Sequence, residues 1–68
     1  MTPLEKALEL RDKYFELLDE DDFHIRYMVA EKCALVTVEE ILSLGYKSKS
    51  DFKLYDFYSK VKIEINKL

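Results

Sequence analysis

Apolar residues recur along this chain at three- and four-residue steps in three stretches, the period of helices that turn one face inward. In the first stretch Leu4, Ala7, Leu8, Tyr14, Phe15 and Leu18 share a side, with Leu10 and Leu17 widening it. Glu5, Glu9, Asp12 and Glu16 lie opposite. Thr2-Pro3-Leu4-Glu5 supplies the start: Thr2 to cap, Pro3 at the first position, where a missing N–H costs nothing, and Glu5 to close a capping box. A helix is predicted over 3–19. Asp19-Glu20-Asp21-Asp22 then leads into a second, because carboxylates suit the amide-rich N-terminal turn.

The second helix is predicted over 22–44, with Gly45 as its left-handed stop. Phe23, Tyr27, Ala30, Ala34, Val38 and Ile41 form one stripe, Met28, Leu35 and Leu42 a second, Val29 and Val36 a third. A helix apolar nearly all round must be covered on several sides. Two other helices cannot cover it all, so a homo-oligomer is expected, with Met28, Val29, Leu35, Val36 and Leu42 at the interface, joined by Ile63. Val36-Thr37-Val38 resembles a strand locally, but the long helical period around it outweighs that. Tyr46 to Ser50 reads as a loop in which Ser48 or Ser50 caps a third helix over 51–67. Leu54, Phe57, Tyr58, Val61, Ile65 and Leu68 mark its inner face. The expected fold is all-α: a single-domain three-helix bundle, residues 1–68, packed into a homo-oligomer.

Composition sharpens this picture. One core in 68 residues rarely supplies more than about 3–5 kcal/mol, so chains of this size lean on disulfides, metals or partner subunits. Cys33 is the only cysteine and His24 the only histidine, which rules out an intrachain disulfide and leaves no zinc-ligand spacing. Self-association is the remaining route. Neither a signal-peptide core nor a membrane-length apolar run is evident, so a cytoplasmic location is expected. Charge is uneven: residues 1–45 hold eleven acidic and five basic side chains, residues 46–68 three and six. That polarity favours packing the last segment on the first two.

The chemistry is sparse. No nucleophile–base pair and no glycine-rich phosphate loop is present, so neither an enzyme nor a cofactor is expected. The carboxylates of 19–22 lack the alternation and the glycine of a cation loop. Glu16 and Asp19 have the spacing of a helical metal-binding pair, but no second pair is evident to face them, and no metal is expected. Arg11 stands inside the apolar stripe of the first helix and needs an anion, from Glu31, Glu39, Glu40, a neighbouring subunit or a ligand phosphate. Lys53, Lys60 and Lys67 recur every seven residues, with Tyr55, Phe52 and Ile63 on adjoining surfaces, a pattern that could hold a nucleotide by charge and stacking. Arg11, Lys53, Lys60 and Tyr55 are the candidate ligand residues. Asp56 and Glu64 dilute that column, and a solvated helix face is the commoner meaning of such lysines.

Met1-Thr2-Pro3, Glu5-Lys6-Ala7 and Glu9-Leu10, then Lys32-Cys33-Ala34-Leu35-Val36 with Glu40-Ile41-Leu42, then Val61-Lys62 and Glu64-Ile65 before Lys67-Leu68, resemble short all-helical proteins of Bacteroidetes phages and prophages of the crAss-like type. The resemblance spans the chain but rests on core and cap residues, and it brings no activity with it. Arg11, where an aliphatic residue is expected, and Ile63, where a polar one is expected, depart from the pattern. Taken together with those two departures, the resemblance leads us to expect a phage accessory protein in the host cytoplasm that binds itself and a host protein or anionic small molecule, an anti-defence role being one use of such binding. The alternatives are a minor structural or packaged virion protein, and a helix-turn-helix DNA binder. Nucleic acid is disfavoured by the acidic head of the second helix.

Overall fold

The computed structural model describes residues 1–45 and 49–68, without the side chains of 49–51. It contains three helices, α1 (Pro3–Leu17), α2 (Phe23–Ser43) and α3 (Lys49–Lys67), each packed against both others. No strand occurs among the described residues.

The helix starts follow local chemistry. Thr2 Oγ1 accepts from the Glu5 N–H and Glu5 Oε1 accepts from the Thr2 N–H, both at 3.1 Å, completing the capping box. Asp22 caps α2 by accepting from the N–H groups of His24 at 2.9 Å and Ile25 at 3.3 Å, so the helix proper begins at Phe23. The end of α1 comes two residues before the predicted Asp19. Leu18 is already extended, and carboxylates at 19–22 are unfavourable beside the carbonyl end of a helix dipole. Gly45 takes φ +69°, and its N–H bonds the Leu42 carbonyl at 3.0 Å, closing α2 as a glycine stop does. α3 begins two residues before the predicted Asp51, which puts Ser50 inside the helix rather than at its cap. Ser48, the other proposed cap, lies outside the described residues.

Ala7, Ala34, Val38, Val61 and Ile65 form the buried core, and Ala30 is buried beside them on α2. Leu10, Tyr14, Leu35, Leu42, Phe57 and Tyr58 pack around that cluster. The alanines let the backbones of α1 and α2 approach closely. The consequence is a thin core whose largest fully buried side chains are the valines Val38 and Val61. The outer ends of the apolar stripes stay in water: Leu17 is 79% and Leu54 58% exposed. Lys62 on α3 meets Glu39 on α2 at 3.7 Å, one contact of the kind the uneven charge favours; exposed as it is, such a pair is worth only tenths of a kcal/mol.

Candidate functional site

α2 turns its inner side to α1 and α3 and leaves its outer side unpartnered among the described residues. Val29, Val36, Met28 and Ile25 are all exposed there, Val36 most of all at 57%. An open groove of about 310 Å³ runs along this face toward α1, lined by Tyr14, Val29, Lys32, Cys33, Val36 and Thr37. Its polar floor is satisfied internally. The Tyr14 and Thr37 hydroxyls share a hydrogen bond, and Thr37 donates to the Cys33 carbonyl at 3.0 Å. What this groove offers a partner is therefore apolar wall, the half-buried Cys33 thiol and the exposed Lys32 at the rim.

The six residues expected at an interface separate onto three surfaces. Val29 and Val36 line the groove. Leu35 and Leu42 are half-buried and pack on the subunit's own core, while Met28 and Leu35 edge a second depression, of about 190 Å³, with Ile65 and Leu68 of the α3 end. Ile63 is 54% exposed on a third surface, where it borders a depression of about 440 Å³ with Pro3 and Leu4.

The expected ligand residues are not gathered into one site. Arg11 finds its anion next door: Nε and Nη2 both donate to Asp12 Oδ1 at 3.1 Å, in place of Glu31, Glu39 or Glu40. Its guanidinium also lies 5.0 Å from the centroid of the Tyr27 ring. Tyr27 stacks on Phe15 at 4.2 Å, Phe23 meets Phe15 edge-on at 5.8 Å, and the Arg26 guanidinium sits 4.1 Å from the Phe15 centroid. Arg26 Nε donates to the Phe15 carbonyl at 2.7 Å, satisfying an orphan acceptor at the end of α1. Sequence reasoning missed Arg26. The signal was three aromatics and two arginines flanking one short turn. On α3, Lys60 pairs with Asp56 at 3.1 Å and Lys67 with Glu64 at 3.7 Å; Lys53 is exposed and Tyr55 half-buried. Lys60 borders the depression at Pro3 and Leu4, which Arg11 does not reach.

Two carboxylates are tuned by neighbours. The Glu5 carboxyl is held below its usual range by the Thr2 N–H and then by the Thr2 hydroxyl. That of Glu9 is lowered by hydrogen bonds from Lys6 and Lys13, each 3.1 Å from Oε1. Both favour the ionised form and neither lies in the groove. Among the described residues, no three His, Cys, Asp or Glu side chains are placed to hold a metal ion, and no helix is long and apolar enough to cross a membrane. No known protein family, no curated protein and no solved structure matches the chain.

Proposed function

We propose that this protein works by binding rather than by catalysis, and that it does so as a helical homo-oligomer. The observation that carries the reading is the outer face of α2. Val29 and Val36 stand exposed at mid-helix, with Met28 exposed on the adjoining surface, on the element that supplies three of the buried core residues, Ala30, Ala34 and Val38. Apolar surface of this kind, continuous with a groove, marks interaction sites more often than solvated faces. The thin core adds a second reason, since association would bury apolar area that the subunit alone leaves in water.

In the cell, the assembled protein would engage a host protein or an anionic small molecule, as fits a phage accessory factor acting against a host defence. That part rests on the sequence resemblance. Arg11 is already paired with Asp12 and set beside Tyr27, so an anionic ligand there would have to displace the carboxylate.

Light scattering coupled to size exclusion tests the reading. At micromolar concentration the expected mass is a multiple of the chain mass, and Val36→Asp lowers it to one chain while far-UV circular dichroism stays helical. A wild-type chain that is monomeric at every concentration, with a melting temperature independent of concentration, overturns it.

A further inference from the structure

Resting on that self-association, we infer that two copies pair through their α2 helices in antiparallel orientation, about a two-fold axis close to Cys33. The stripe facing outward and toward α1 reads Asp22, Arg26, Val29, Cys33, Val36 and Glu40, at alternating four- and three-residue steps. Its middle is apolar, and Arg26 and Glu40 flank that middle with opposite charges, Asp22 lying beyond Arg26. Antiparallel pairing centred on Cys33 places Arg26 of each copy near Glu40 of the other. The cap Asp22 then falls opposite the exposed Leu44, and the apolar middle closes on itself. A parallel pair would set Asp22, Arg26 and Glu40 each against its own like, and both helix dipoles would add to the repulsion.

Each charge is placed for this. Glu40 is exposed, and its carboxylate makes no ion pair among the described residues of the subunit, whereas its neighbour Glu39 is engaged by Lys62. Arg26 is steered by Phe15, whose carbonyl accepts from its Nε and whose ring lies under its guanidinium, at the N-terminal side of the apolar middle. A closed two-fold contact of this type uses one self-complementary patch and leaves the Ile63 surface free for other partners.

The test uses the full chain and a short bismaleimide that bridges thiols only a few ångströms apart, with light scattering on the same samples. Wild type is expected to give a covalent dimer through Cys33 that Cys33→Ser abolishes. Glu40→Cys in the Cys33→Ser background should give none, because about 14 residues of helix, roughly 21 Å, separate the two thiols of an antiparallel pair. Val29→Asp should dissociate the pair and Ile63→Asp should not. Bridging through Glu40→Cys overturns the antiparallel arrangement. An oligomer that survives Val29→Asp, or whose Cys33 thiols are not bridged, overturns the α2 pairing while self-association stands. A monomeric wild type overturns both.

Discussion

Tyr14 on α1 donates its hydroxyl hydrogen to Thr37 on α2, because the single hydroxyl proton of Thr37 is committed to the Cys33 carbonyl. This two-bond chain ties α1 to the middle of α2 and forms the floor of the groove. Tyr14→Phe should cost about 1 kcal/mol, the ordinary net worth of a hydrogen bond. Thr37→Val should cost about 1–2 kcal/mol, since it leaves the half-buried Tyr14 hydroxyl without its partner. A double-mutant cycle by chemical denaturation checks the pair, which should be coupled by at least about 0.5 kcal/mol.

The alanines at the α1–α2 contact set the spacing of the bundle. Ala34→Leu should destabilise the fold by about 3 kcal/mol, because a fully buried methyl has no room to become a branched side chain without moving a helix. Ala34→Gly would cost about 1 kcal/mol from helix propensity alone. Denaturant midpoints with unchanged slopes would show that both variants alter stability rather than the unfolding reaction itself.

The two arginines beside the 18–22 turn should behave differently. Arg26→Met removes a charge-assisted bond to the Phe15 carbonyl together with a ring contact, and should cost about 2 kcal/mol. Arg11→Leu loses a partly exposed ion pair and a longer ring contact, and should cost less than about 1 kcal/mol. Thermal melts of both variants rank them. Should Arg11 also serve as an anion site, Arg11→Leu would leave the melt nearly unchanged and lose a ligand that mass spectrometry detects on wild-type protein.

Stability should fall with acid, in part through Glu5 and Glu9. Both carboxyls ionise more readily in the folded chain than in the unfolded one. Their contribution is therefore fully present above the unfolded carboxylate range, and is lost as pH drops through the lower folded values. The melting temperature should be flat from pH 7 to about 5 and decline below that. Glu5→Gln with Glu9→Gln should shallow that decline without affecting the neutral plateau's lack of slope.

Much of the fold was legible because its signals are local. Thr2-Pro3-Leu4-Glu5 encodes a capping box within four residues, Asp22 can reach only the N–H groups just after it, and a glycine after a long helical period marks a left-handed stop. The three stripes located the helices to within two residues at each end. The ends moved for reasons that periodicity does not contain: the acidic run at 19–22 opposes the dipole of α1, and α3 extends back through Ser50.

Partner choice was the part that spacing could not supply. Arg11 had three carboxylates of α2 as candidate partners, yet it pairs with Asp12 one residue on and sets its guanidinium beside the Tyr27 ring of α2. Likewise Leu35, Leu42 and Val36 are equivalent as apolar residues of α2. The chain by itself determined that this helix has more apolar surface than two neighbours can cover. Only tertiary structure decided which part is left over, because the side on which α3 docks takes Leu35 and Leu42 into the subunit and leaves Val29 and Val36 exposed on a side that no described residue covers.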